Sequence, residues 1–487
     1  MKLTLLPEPE LQFGAGRHID IRFGIKDYGP LDFGQPSAPR EIRLGIIGTP
    51  HSTEKLKEWL SKCRQGVQAK PSPKPNLFPR FPGFSSDSPF KCALVHDSRF
   101  ERMIPERTFE QIAKRKTYRE VVAAATEAFE VEIENLTQNT PVDVIVCALP
   151  TSLIQILLPV EGEQEDREDG AVVQKITKPA TSSLENPDFH HLLKAKAMRF
   201  RKPIQLIQPY TYGDAGKKPT TARQRRLQDE ATRAWNFHVA LYYKANGIPW
   251  RMIREQSELT TCFVGISFYR NLSGDRLLTS IAQVFSERGE GIIIRGGTAT
   301  QSKDDRQPHL DEESSRSLLK QAIERYRSEH MTTPARVVIH KSSSHSEQET
   351  SGFQAALAEQ RIDIFDLVSM GRNSARLFRL GAYPPLRGTF LSLDESIHVL
   401  YTRGSIDFYR TYPGLYVPKP IKFRCDRIDS TPQTLAKEIL ALTKMNWNNT
   451  QFDNSEPITL HAARQVGDIL KYVGPSDVPE PRYGYYM

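Results

Sequence analysis

Apolar residues along this chain recur in two rhythms that alternate from residue 41 onward. Short, nearly unbroken apolar runs read as buried strands: Glu41–Thr49, Val142–Pro150, Pro203–Ile207, Phe263–Phe268, Gly291–Arg295 and Ala335–Ser342. Between them the spacing turns helical. Ser52, Thr53 and Glu54 cap a helix to about Cys63 with Leu56, Trp59 and Leu60 on one face. A long helical pattern covers Arg107–Leu136, and Leu319, Ile323 and Tyr326 place another helix over 313–329. Such alternation predicts an α/β protein with doubly wound parallel sheet, ligands meeting the carboxyl ends of its strands. The first 35 residues read instead as short β-like runs, as in Ile19–Gly24, an extended entry segment. Residues 66–90 are rich in Pro and Ser and predict a loop with no reason to pack. Residues 161–187 form an acidic loop, and no internal repeat is found.

A length of 487 residues suffices for two or three domains. No apolar run reaches the roughly 18 residues of a membrane span, and the start lacks the features of a signal peptide. Cys63, Cys92, Cys147, Cys262 and Cys425 are scattered with no C-x-x-C pair, which speaks against a zinc site or disulfide framework. A cytoplasmic setting is expected. The net charge of +8 is unevenly placed: Lys194 to Arg254 holds fourteen Lys/Arg against three acidic residues. A basic run usually means a solvated face, but concentration in one segment favours a polyanionic partner.

Three pieces of the first α/β unit carry candidate chemistry. Asp188–Ala197 reads as a helix that sets His190 and Lys194 on one face. Gln205 lies on the next strand, and Lys244 closes a long helix just before Gly247. Singly each has a plain explanation, such as a lysine completing a helix dipole. Together, His-x-x-x-Lys, Pro-x-Gln and Lys-x-x-Gly resemble the MID domain of Argonaute proteins. The resemblance implies a pocket for a guide 5′-phosphate, with His190, Lys194, Gln205 and Lys244 supplying charge and donors. It also implies Mg²⁺ beside that phosphate, with the carboxylate of Met487 as a ligand.

The second unit resembles an RNase H-like PIWI domain in strand order and in the runs Thr431–Asn448 and Pro457–Arg464. In that fold carboxylates hold two metal ions that cut a phosphodiester. Ser267, Ser342 and Arg464 occupy the matching positions here, and a neutral hydroxyl or a cation cannot serve hard divalent ions. The expected layout is a β segment over 1–35, a Rossmann-like MID domain over 36–255 and a PIWI domain over 256–487. That is the layout of short prokaryotic Argonautes. It implies guide RNA with a 5′-phosphate, a complementary single-stranded DNA target, and no cutting by this chain. It further implies an APAZ-domain partner with a sirtuin-type, TIR or nuclease effector, in defence against plasmid or phage DNA. One departure is Ala240, where a polar residue often precedes the Lys244 position by a turn. The family's mobile catalytic glutamate has no clear counterpart among Asp304, Asp305, Asp311, Glu312 and Glu313.

Two other readings compete. An active nuclease would need different carboxylates, for which Asp304, Asp394 and Asp407 are candidates. A doubly wound enzyme for a phosphorylated metabolite would need a glycine-rich phosphate loop, and Gly45–Thr49 lacks G-x-G-x-x-G.

Overall fold

The computed structural model describes residues 2–487 apart from 158–162, 167–172, 177–185, 214–227, 254–257, 286–290, 374, 378–383, 410–416, 452–453 and 475–476. Most of the acidic loop, and Lys217, Lys218, Arg223, Arg225, Arg226 and Arg254 of the basic stretch, lie outside the described residues.

The expected alternation of strand and helix builds two sheets. The smaller runs Ile204–Ile207, Val144–Ala148, Glu41–Gly48, Ala93–Val95, with Glu101–Met103 sharing the Glu41–Gly48 edge, and all its pairings are parallel. Its central strands are buried because helices cover both faces. Leu44, Ile46, Val144 and Val146 pack with Trp59 and with helix Glu230–Lys244, while Ile47, Ile145 and Cys147 pack with helix Tyr118–Asn139. This is the Rossmann-like arrangement.

Local chemistry moves several boundaries. The first helix runs Pro50–Gln65, because Thr49 and Ser52 exchange bonds as a capping box and proline at the first turn loses no bond. The 107–136 pattern splits into Glu106–Ile112 and Tyr118–Asn139, the second started by a Thr117/Glu120 capping box. Residues 66–90 were expected not to pack, yet Phe81, Phe84 and Phe90 are buried. Phe81 meets Trp235 edge-on at 5.2 Å and Phe84 lies 5.0 Å from the His238 ring. Each such ring buries roughly 150–250 Å² without any periodic spacing, so a proline-rich segment can still be a piece of core.

The larger sheet has ten strands, in the order Lys2–Leu5, Thr389–Ser392, Ile397–Leu400, Ile421–Arg427, Ile364–Arg372, Arg336–Lys341, Thr261–Arg270, Leu277–Phe285, Gly291–Gln301, Pro308–His309. Thr261–Arg270, Arg336–Lys341 and Ile364–Arg372 are mutually parallel, and the remaining neighbours antiparallel. The strand Leu277–Phe285 stands between two expected neighbours and was not anticipated. Val264, Ile266, Val337 and Ile339 pack against helices Glu312–His330 and Glu347–Glu359. The opposite face carries helix Ile458–Leu470, so close that a Cβ on Gly265 would lie 2.2 Å from the Thr459 carbonyl oxygen. This is the RNase H-like arrangement. Among the described residues no helix is long and apolar enough to cross a membrane, and all five cysteines are free and buried.

The first 35 residues are not an extended strap. Ile21–Tyr28 is a helix, capped by Asp20, whose carboxylate accepts from the backbone N–H of Arg22 and Phe23. Lys2–Leu5 is a strand of the larger sheet, while Leu11–Gln12 pairs with Arg251–Met252. Between these anchors Glu8 forms buried ion pairs with Arg387 (2.9 Å) and Lys444. Lys444 also donates to the carbonyls of Pro9 (2.6 Å) and Ile19 (2.8 Å). Burial alone would raise the Glu8 pKa, but attraction to Arg387 and Lys444 outweighs it and leaves the carboxyl below its ordinary 4.5.

Glu8 therefore contributes stability above its unfolded pKa and loses it as pH falls through the depressed folded value. Glu8→Gln should cost about 3–5 kcal/mol at pH 7. The gap between mutant and wild type should shrink below pH 4.5, as followed by denaturant melts across pH 3–7. A gap that stays constant to pH 3 would refute this role.

Candidate functional site

Asp188 starts the helix Phe189–Ala197, its carboxylate accepting from His191 N–H at 2.9 Å. Phe189, Leu193 and Ala197 enter the core, which fixes the helix rotation and turns Lys194 inward, where it is buried. Gln205 sits on the edge strand of the smaller sheet, and Lys244 is the last residue of helix Glu230–Lys244. Gly247 follows because a Cβ there would lie 2.3 Å from the Tyr242 ring. This gives a packing reason for the glycine in the Lys-x-x-Gly pattern.

These side chains converge. Lys244 Nζ donates to the Ile204 carbonyl (2.9 Å), Gln205 Oε1 (2.6 Å) and the Met487 backbone oxygen (3.2 Å). Lys194 Nζ donates to the Tyr486 carbonyl (3.3 Å) and to the same Met487 oxygen. Burial pushes the Lys194 pKa down to about 7, partly countered by Asp188. Burial, then the like charge of Lys194, holds Lys244 well below its ordinary range. His190 is exposed, and the charges of Lys194 and Lys244 act on it. Its dense surroundings, then Lys194, His191 and Lys244, hold its imidazole well below 6.5. Because the ring also reaches solvent, the positive neighbours are the firmer of these causes. Burial lowers the His191 imidazole as well, with Asp188, Asp468, Lys471 and Lys194 the charges that act on it.

The terminal segment's part in this site was only half foreseen. Tyr483, Tyr485, Tyr486 and Met487 are buried, and Arg482 clips the segment to Asn246 at 2.6 Å. Tyr472 fastens the helix start by accepting from Asp188 N–H at 2.8 Å. Residues of the second unit therefore complete a site founded on the first. The row of buried tyrosines was the one sequence signal for it.

In the larger sheet Ser342 N–H donates to the Ile266 carbonyl at 3.2 Å, so Ser267 and Ser342 lie side by side. Ser267 is buried opposite Ser280, whose hydroxyl donates to the Ala463 carbonyl (2.7 Å) of the covering helix. Arg464, on that helix, turns to an ion pair with Glu456 and borders a cleft with Met370, Gly371 and Ile421. Carboxylates in the neighbourhood are engaged. Glu349 holds Lys341 at 2.7 Å, Asp426 holds His345 at 2.7 Å, and Asp305 holds His309 at 2.9 Å. Asp311 caps the helix that Glu312 and Glu313 begin.

Asp304 and Asp394 sit in turns at opposite ends of the ten-stranded sheet, and Asp407 lies in the short turn Asp407–Tyr409. The structure does not bring these three together. Among the described residues one group of three or more His, Cys, Asp or Glu could hold a metal ion. It is Asp188, His190 and His191.

No family model matches the sequence, and no curated protein matches it. Solved structures do. Clostridium butyricum Argonaute, bound to guide DNA and a 19-mer target DNA, superposes with TM-score 0.66 at 14% identity over 99% of this chain and 54% of its own. Drosophila Piwi gives 0.61 at 12% identity, covering 100% and 56%, and A. aeolicus Argonaute 0.59 at 16%, covering 100% and 56%. The chain thus has the MID–PIWI fold and spans little more than half the length of these proteins.

Lys244 satisfies three acceptors at once, so Lys244→Met leaves buried oxygens without donors, at roughly 1–3 kcal/mol. We expect faster amide exchange in residues 480–487 of that variant. Unchanged exchange there would show that Lys244 does not hold the segment.

Proposed function

We propose that this chain is a guide-binding, non-cutting Argonaute subunit that senses single-stranded DNA and passes the signal to a partner. The observation that carries this reading is the pair Lys194 and Lys244. Both lysines donate to one oxygen, that of Met487, Lys244 also donates to Gln205 Oε1, and the charges of both act on His190. Such a cluster of buried donors suits an anion with several oxygens, and a terminal phosphate offers three. In this reading the guide is RNA, its 5′-phosphate takes donors from His190, Lys194, Gln205 and Lys244, and a divalent cation, Mg²⁺ in the simplest form, bridges it to Met487. The target pairs with the guide, so that base pairing reads sequence while protein contacts read the backbone.

The reading without cleavage is supported by Ser267 and Ser342 at the carboxyl ends of the parallel strands and by the Arg464 cation on the covering helix. Two-metal cutting needs converging anionic ligands. Output must then come from a difference in affinity between two states. A guide–target duplex would favour the state that assembles the active site of an APAZ-domain partner, sirtuin-type, TIR or nuclease, in cytoplasmic defence against plasmid or phage DNA.

Charged hydrogen bonds contribute about 1.5–3 kcal/mol each, so Lys194→Ala should weaken 5′-phosphorylated guide at least tenfold in filter binding. It should leave 5′-hydroxyl guide nearly unaffected. A wild-type chain that binds both guides equally would sink the proposal. For activity, guide-loaded chain incubated with labelled complementary DNA should stay inert in Mg²⁺ or Mn²⁺. Guide-dependent cuts abolished by replacing one of its own acids would overturn the non-cutting role.

A further inference from the structure

Asp188, His190 and His191 occupy three of the first four positions of one helix start, and their ligand atoms all lie within 4.8 Å of one another. His191 Nδ1 is 3.4 Å from Asp188 Oδ1, too far and too poorly aligned to bond it, and it is buried with no hydrogen-bond partner. The two imidazole rings stand 5.5 Å apart, edge to face at 68°. Ligand atoms on an ion at about 2.0–2.2 Å stand no more than about 4.4 Å apart, and small side-chain rotations close the remaining distance.

We propose that Asp188, His190 and His191 form a site for one nitrogen-preferring divalent ion, such as Mn²⁺, Co²⁺ or Zn²⁺, at the mouth of the lysine pocket. This deepens the guide-binding reading and rests on it for the ion's role. Imidazole nitrogens suit first-row transition ions, whereas Mg²⁺ takes oxygen and keeps its water. Met487 offers a competing oxygen ligand, but that oxygen already receives two lysine donors. Three protein ligands leave coordination positions open for a phosphate oxygen, as in other open metal sites.

Charge sets the main opposition, because a helix start repels cations and the charges of Lys194 and Lys244 act on His190. Three features offset it. Asp188 supplies a carboxylate, Asp468 faces His191 from the second unit, and Lys194 Nζ is turned away onto the Tyr486 and Met487 oxygens. One dication with one carboxylate also leaves a net positive charge, which a phosphate would complete.

Co²⁺ is the probe, since its visible absorption reports nitrogen and oxygen ligation directly. Guide-free full chain should bind one equivalent with a ligand-field band, displaced by Zn²⁺ but not by hundredfold excess Mg²⁺. His191→Ala and Asp188→Asn should each weaken Co²⁺ at least tenfold. Asparagine still caps the helix, and His191 is part-exposed, so both variants should keep the wild-type circular dichroism. Absence of bound Co²⁺, or full affinity in both folded variants, overturns the site. Preference for 5′-phosphorylated over 5′-hydroxyl RNA should fall in chelator and return with Co²⁺ in wild type alone. A preference unchanged by chelator overturns the ion's role while leaving guide binding intact. Co²⁺ bound as expected, with no preference for phosphate under any condition, overturns the guide reading and leaves the metal site standing.

Discussion

Two lysines buried beside each other are a demanding arrangement, and the architecture around them serves to hold them. Lys194 and Lys244 are both almost fully buried, and among the described residues no carboxylate side chain is bonded to either Nζ. Backbone carbonyls, one amide oxygen and the Met487 oxygen do what a counter-ion would do. Carbonyl and amide oxygens satisfy donors without neutralising charge, and the Met487 carboxylate supplies at most one negative charge to two lysines, so a positive balance remains where both are protonated. That balance is what an anion would meet. The acceptors come from strand Ile204–Ile207 of the smaller sheet and from the terminal segment that leaves the second unit. Neither sheet alone could satisfy both lysines.

The same logic of shared completion holds at the other end of the chain. Lys2–Leu5 extends the ten-stranded sheet, Leu11–Gln12 pairs beside the smaller one, and Glu8 lies between them on Arg387 and Lys444. Trp250 adds a bond from its indole N–H to the Lys444 carbonyl at 3.0 Å, and Tyr243 stacks on Trp447 at 4.5 Å. Helix Glu230–Lys244 is therefore tied to the segment 444–447 and to the Met487 oxygen. A change at the lysine pocket has a contiguous packed route into the second unit, which is the physical requirement for any signal passed between them.

How far the sequence foretold this depended on whether the signal was local. Strands such as Glu41–Gly48, Thr261–Arg270 and Arg336–Lys341 announce themselves because burial on both faces demands unbroken apolar runs. The meeting of Lys194, Gln205 and Lys244 was expected from the resemblance of their patterns to a MID domain, and spacing alone offered only His190 and Lys194 on one helix face. Ile21–Tyr28 was not, because apolar residues at 19, 21 and 23 mimic a strand until the Asp20 cap is seen. Phe81, Phe84 and Phe90 were hidden by the prolines around them, since their partners Trp235 and His238 lie about 150 residues away in sequence. Asp188, His190 and His191 were not foreseen as one cluster, for a related reason. Their meaning depends on the geometry of one helix start, which spacing alone leaves open.

Ser267 is placed by close packing between sheet and helix. Ser267 is sealed beneath helix Ile458–Leu470, Gly265 admits that helix by lacking a Cβ, and Ser280 bonds to its backbone. His340 adds a bond between Nδ1 and Thr459 Oγ1 at 2.9 Å, its pKa pushed down to about 3 mainly by burial, so it stays neutral. A carboxylate at position 267 would need metal ions or donors to offset its desolvation, whereas a hydroxyl tolerates close cover. Small neutral side chains let helix and sheet approach and bond directly. Around Ser267 the sheet and the covering helix meet as a packed seam. A seam that transmits displacement of the covering helix to the sheet fits a chain whose proposed output is a change of state and not a cut strand.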